Sequence, residues 1–226
     1  MSAIVLLSEA NIYHKEHQIL ADVNLTIEPG EFVYLIGKTG SGKSSLLKTL
    51  YADLWLQEGI GEVAGYKLHE ISRKEIPYLR RKIGIVFQDF QLLTDRNIRK
   101  NLTFFMQAMG WKDKSEIEMR IVEVLTQVEL PHVLEKMPHQ LSGGEQQRIA
   151  IARAILNKPE IIIADEPTGN LDPEMAMEIL KLFFSINKQY KTAVLMGTHN
   201  LDLIERFPYR TLYCRNGKVE DISGTM

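Results

Sequence analysis

The segment Gly37 to Ser44 reads GKTGSGKS, and no other stretch restricts the fold of this chain so strongly. Glycines at 37, 40 and 42 let the backbone curl so that successive N–H groups point inward at an anion. Such a loop needs a strand to deliver the chain and a helix to carry it away, because the helix N-terminus adds its dipole to the same anion. Glu31 to Ile36 reads as that strand and Ser44 to Leu54 as that helix. The ligand this predicts is ATP. Gly37, Lys38, Thr39, Gly40, Ser41 and Gly42 cradle the phosphates, Lys43 bridges the β- and γ-phosphates, and Ser44, followed by Ser45, offers a hydroxyl to Mg²⁺.

The rest of the chain is read around that loop. Val5 to Leu7 and Val23 to Ile27 are expected to be strands flanking a polar turn, His14 to Gln18. From about Asn97 to Asn157 the pattern is helical. Ser115 with Glu118 predicts a capping box, after which Ile117, Ile121, Leu125 and Val128 recur at helical spacing. A further helix is expected from Ser142 through Ile155. The α/β pattern then returns. Ile161 to Ala164 suits a strand buried on both faces. Asp172 and Pro173 open a helix with Ala176, Ile179, Leu180 and Phe183 on one face. Thr192 to Met196 is another strand, and Asn216-Gly217 marks a hairpin. The expected fold is a P-loop α/β core, residues 1–88 and 158–226, with a helical subdomain, 89–157, inserted into one domain.

Two further motifs carry chemistry. IIIADE places Asp165 at the carboxyl end of a buried strand, where ligands of open α/β sheets bind, suited to the Mg²⁺ shell. Glu166 beside it is the candidate to polarise a water for attack on the γ-phosphate. LSGGEQQ, Leu141 to Gln147, makes a second anion-binding helix terminus. Ser142 and Glu145 form a capping box, and Gly143 and Gly144 bare the first turn. A single ATP already held by the first terminus leaves this one without an obvious ligand in its own subunit. A two-fold dimer would place it over the partner's γ-phosphate.

At this point the sequence resembles the ATP-binding cassette (ABC) ATPases, whose signature is LSGGQ; here Glu145 stands in the place of the usual glutamine and Gln146 follows it. The resemblance covers essentially the whole chain and implies a RecA-like mixed sheet with an N-terminal antiparallel β part and an inserted helical subdomain. It implies that Gln88, in VFQD, looks toward Mg²⁺ and the attacking water, and that Gly169 to Asp172 forms the D-loop crossing a dimer interface. His199, in GTHN, becomes the switch histidine on the γ-phosphate. Tyr13 matches the aromatic that stacks on adenine, although a surface tyrosine beside a polar turn fits the same pattern. Ser142, Gly143, Gly144, Gln146 and Asp172 become contacts to the nucleotide across the dimer. One departure is Asn200, where Asp often follows the switch histidine.

Within the family, ADEPTGNLD (Ala164 to Asp172) resembles the group that includes lipoprotein-release, macrolide-export and cell-division ATPases, while the stretch Glu75 to Leu102 resembles the cell-division branch in particular, and NKP at Asn157 to Pro159 agrees. That resemblance implies an ATPase homodimer on the cytoplasmic face of the bacterial inner membrane, recruited by an FtsX-like, permease-like membrane subunit. It would sit among divisome proteins and regulate peptidoglycan hydrolysis. The alternative inside the family is the ATPase of a lipoprotein-release or macrolide-type exporter. Phe90, Leu92 and Leu93 either line a groove for the membrane subunit or belong to the core.

Bulk properties bear on partners. The net charge of −2, from 27 basic and 29 acidic residues, gives no field that would attract nucleic acid. The cluster Arg73, Lys74, Arg80, Arg81 and Lys82 is therefore read as a solvated face. The single cysteine, Cys214, allows no internal disulfide and is read as a strand thiol. MSAIVLLSEA lacks the marks of a signal peptide, and no run approaches the roughly 20 apolar residues of a membrane span. A soluble translation or repair cassette, a P-loop kinase and a non-hydrolysing scaffold are the other classes considered. Paired cassettes are missing for the first, LSGGEQQ argues against the second, and Glu166 with His199 against the third.

Overall fold

The computed structural model describes residues 3–223; Met1 and Ser2, which open the N-terminal segment, and residues 224–226 lie outside it. Among the described residues, β1 (Val5–His14), β2 (His17–Ile27), β4 (Glu58–Val63) and β5 (Tyr66–Lys67) form an antiparallel sheet in the order β2-β1-β4-β5. The first two strands run longer than their apolar segments predict, and the turn shrinks to Lys15 and Glu16. The strands stay paired across bulges because side-chain amides replace missing ladder partners. The N–H of Glu9 donates to Asn24 Oδ1 at 3.1 Å, and that of Asp22 to Asn11 Oδ1 at 2.8 Å.

The second sheet holds β3 (Phe32–Ile36), β6 (Ile83–Val86), β7 (Ile161–Asp165), β8 (Ala193–Thr198), β9 (Arg210–Arg215) and β10 (Lys218–Asp221), in the order β10-β9-β3-β8-β7-β6. Every pairing is parallel except that of β10 with β9. Its central strands are buried on both faces, and strand alternation sorts their side chains into two cores. Phe32, Tyr34 and Ile36 of β3 join Ile162, Ala164, Val194 and Met196 on one face. Val33 and Leu35 join Ile161, Ile163, Ala193 and Leu195 on the other, against α1 (Lys43–Leu50) and the antiparallel sheet.

The other helices are α2 (Ile76–Arg81), α3 (Ile98–Ala108), α4 (Lys114–Gln127), α5 (Gly143–Ile155), α6 (Pro173–Tyr190) and α7 (Leu201–Arg206). Helices α3, α4 and α5 stand between β6 and β7, and their apolar faces belong to the same cluster as one face of the parallel sheet. Buried Arg120 ties α4 to the end of α5 by donating from Nε to the Leu156 carbonyl at 2.9 Å and from Nη2 to that of Ile155 at 2.6 Å.

Three local expectations are corrected. Helix α1 ends at Leu50, not Leu54, because Ala52 turns left-handed at φ 55° and the N–H groups of Asp53 and Leu54 close back on the Lys48 carbonyl. Helix α4 is capped by Asp113, whose Oδ1 accepts from the N–H groups of Ser115 and Glu116 at 2.8 and 2.9 Å. Ser115 therefore lies inside the helix, and Glu118, freed from any box, pairs with Arg99. The basic cluster is not merely solvated. Arg80 donates to the carbonyls of Tyr51 and Ala52, Lys82 to that of Ala64, and Arg81 lies over the Tyr78 ring.

Candidate nucleotide site

Strand β3 ends at Ile36 and releases the chain into the glycine loop, where Gly37 and Gly42 have φ 151° and 106°. At Gly42 a Cβ would press on Leu20 Cδ2 at 2.9 Å, so only glycine lets the loop pass this close to β2. Gly42 caps α1 without a side chain, leaving the first-turn N–H groups of the helix open to an anion. The loop and helix floor a cleft of about 610 Å³, lined by Thr39, Gly40, Gly42, Lys43, Ser44 and Ser45. Gln88, Glu166 and His199 line the same cleft.

Lys43 is only 6% exposed in this cleft. Its Nζ donates to the Gly37 carbonyl at 2.7 Å and the Lys38 carbonyl at 3.4 Å, and stands 3.5 Å from Glu166 Oε1. The other Glu166 oxygen, Oε2, meets His199 Nδ1 at 2.9 Å and accepts from the His199 N–H at 3.3 Å. Glu166 adopts φ 49°, a strained backbone for a non-glycine residue, and its N–H is tied to the Gly197 carbonyl at 2.9 Å. The end of β7 is thereby turned toward the cleft by the neighbouring strand β8.

Asp165 tests whether a cation fits. Its Oδ1 is buried without a hydrogen-bond partner. Burial pushes its carboxyl above the usual carboxylate range, a shift opposed by the Ser44 hydroxyl bond and reinforced by Glu166. An orphaned, desolvated carboxylate oxygen beside a serine hydroxyl and a phosphate cradle is the oxygen donor set Mg²⁺ takes.

Other expected residues lie elsewhere. Ser142 caps α5, accepting from the Glu145 N–H at 3.2 Å while Glu145 Oε2 accepts from the Ser142 N–H at 2.8 Å, as the capping box predicts. Neither it nor Gly143, Gly144 or Gln146 lines the cleft. Gly144 is covered by Met175, and Gln146 Nε2 donates to the Leu141 carbonyl at 3.1 Å. Asp172 caps α6, accepting from the N–H groups of Glu174 and Met175 at 3.1 and 3.0 Å. Tyr13 does not line the cleft either. Its hydroxyl donates to Glu58 Oε2 at 3.1 Å, and the hairpin wall of the cleft is His14 and Ile19.

Lys38 and Ser41 border a second groove against β9, where the Cys214 thiol donates to the Ser41 carbonyl at 2.9 Å. Burial pushes that thiol upward. The sequence missed His14, Ile19 and Cys214 as neighbours of the site. Nothing local marks any of them, since each is brought there by strand pairing or by a loop from a distant part of the chain. Phe90 is half-buried, Leu92 packs on the core and Leu93 is 37% exposed.

The comparisons with known proteins agree with this geometry. The ABC transporter family matches residues 20–169. The cell division ATP-binding protein FtsE of Streptococcus pneumoniae is 42% identical over 219 residues, covering 97% of this chain and 94% of that protein. Its counterpart in Bacillus subtilis is 43% identical over 198 residues, covering 88% of this chain and 86% of the relative. Among solved structures, cbiO1 from Clostridium perfringens, part of the ABC transporter complex cbiONQ, superposes with TM-score 0.88 at 29% identity, covering 97% of this chain and 88% of that one. The dimeric cassette MJ0796, in a post-hydrolysis state with ADP and Pi, superposes with TM-score 0.83 at 35% identity over 96% of each chain. With its phosphate loop, Glu166 and His199 in one cleft and the buried Asp165 carboxylate beside Ser44, this chain belongs to the ABC transporter family and is an ATPase that uses ATP with Mg²⁺.

Proposed function

We propose that this chain is the ATPase subunit of a membrane complex of the FtsEX type, and that it works as a homodimer whose two ATP sites are each completed by the opposite copy. One observation carries the dimer. The P-loop cleft gathers Lys43, Ser44, Gln88, Glu166 and His199, yet none of the Ser142–Gln146 residues lines it. The capped N-terminus of α5 is an anion site in search of an anion, and a second copy's γ-phosphate supplies one. Similarity to FtsE proteins supports the cell-division role, and with it an FtsX-like partner, divisome neighbours and a place on the cytoplasmic face of the inner membrane. Among the described residues no helix is long and apolar enough to cross a membrane, so this chain would reach one through its partner. Phe90 and Leu93, beside Gln88, are the proposed contact.

In the mechanism, Lys43 exchanges its contact with Glu166 for the β- and γ-phosphate oxygens. Glu166 then accepts a proton from the attacking water as the water oxygen bonds to the γ-phosphorus and the bond to the β-γ bridging oxygen breaks. His199, already on Glu166 Oε2, holds that carboxylate in place and turns its ring to the γ-phosphate. Mg²⁺, held by Ser44 and Asp165 with Gln88, supplies charge neutralisation of the phosphates. ATP favours the closed dimer only through contacts the open one lacks, and those come from Ser142, Gly144, Gln146 and His199. The test is Glu166→Gln, which should give an ATP-dependent dimer with little turnover by light scattering. A chain that stays monomeric at saturating ATP-Mg²⁺ while hydrolysing normally would sink the proposal.

A further inference from the structure

Gln88 reaches the cleft from the loop after β6, and its side-chain amide is already half engaged. Its Nε2 donates to Asn170 Oδ1 at 3.2 Å, and Asn170 Nδ2 donates back to the Gln88 carbonyl at 3.0 Å. The two residues are separated by 82 positions, so this closed pair is a tertiary feature and not a local turn. The surrounding loop is fitted to it. A Cβ at Gly169 would stand 3.1 Å from Gln88 Nε2, tight enough to displace the amide.

An amide whose nitrogen is committed to one partner presents its oxygen elsewhere. We infer that Asn170 is a positioning residue, which fixes the rotation of the Gln88 amide so that Oε1 is free for the cation bound with ATP. The inference rests on the proposed reading of Gln88 as a metal ligand. Asparagine is the residue type the task needs, because it must accept from Nε2 and donate to the carbonyl at once. Aspartate keeps the acceptor and loses the donor, and leucine keeps only the size. The position of Asn170 adds a consequence. Its loop starts at Glu166 and ends at Asp172, the cap of α6, and a Cβ on Gly143 of the signature turn would stand 3.6 Å from Leu171 Cδ2. Rotation of the Gln88 amide is therefore set by the same loop that adjoins the signature turn.

The probe is Mn²⁺, titrated into the full chain with bound ATP in a Glu166→Gln background and followed by electron paramagnetic resonance. Gln88→Ala and Asn170→Leu should each raise the Mn²⁺ half-saturation about three- to tenfold, the loss expected for one oriented hydrogen bond or ligand. The double variant should rise no further than Gln88→Ala, and metal-free ATP affinity should be unchanged. A rise for Gln88→Ala with none for Asn170→Leu overturns the inference alone. No rise for either removes the reading of Gln88 as well. A rise accompanied by lost metal-free ATP affinity means a collapsed site and also overturns it. If Asn170→Leu does not fold, Asn170→Asp carries the test: a smaller rise supports the role, and none contradicts it.

Discussion

Lys43 and Glu166 share a contact that ATP must replace, and this gives the residue scale its sharpest consequence. With Nζ donating to the Gly37 carbonyl at 2.7 Å, the lysine is aimed before the ligand arrives. Lys43→Ala should weaken ATP binding about 10- to 100-fold, the range of one charge-assisted contact, as read by fluorescent-nucleotide titration. Asp165 behaves oppositely toward stability. Its folded pKa is raised, so the folded chain holds the proton more tightly than the unfolded one. The stability this contributes is present below the ordinary carboxylate range and is lost as pH rises through the folded value. Asp165→Asn should therefore raise the nucleotide-free melting midpoint at neutral pH by about 2–4 °C, with the advantage vanishing in acid, while Mg²⁺-dependent turnover collapses. Calorimetry across pH and a phosphate-release assay check the two halves.

Among the elements, what was legible in the sequence is what local chemistry decides. The glycine loop, the cap pairs Ser142–Glu145 and Asp172–Pro173, and the alternation in β3, β7 and β8 all appear where their residues require. What failed was decided by competition or by distant partners. Ser115 lost the cap of α4 to Asp113 two residues earlier, whose carboxylate already takes the N–H groups of Ser115 and Glu116. Asp113→Ala should accordingly cost about 1 kcal/mol in urea unfolding, whereas Ser115→Ala should cost nothing and gain up to about a few tenths of a kcal/mol. Tyr13 is not among the residues that line the cleft. Bulges between Leu7 and Tyr13 shift the pairing of β1 with β2, and no sequence pattern shows which face each residue takes after such shifts. The hairpin wall of the cleft is His14 and Ile19.

At the scale of the whole molecule, the P-loop cleft and the capped N-terminus of α5 lie in one chain, and none of the Ser142–Gln146 residues lines the cleft. The ATPase chemistry sits where the parallel sheet ends, and the signature turn sits at the start of α5, beside Leu171 and Met175 of the same protomer. In the proposed dimer these halves are joined between two copies. Complementation reads it directly. Lys43→Ala spoils the cleft and leaves the signature turn intact. Ser142→Asp spoils the signature turn by charge and keeps a good helix cap. Each variant alone should show only background ATPase. Mixed, they form heterodimers in which one site pairs an intact cleft with an intact signature turn, and a measurable fraction of wild-type phosphate release should return. A mixture that stays at background while both variants remain folded and dimerise would contradict the shared site.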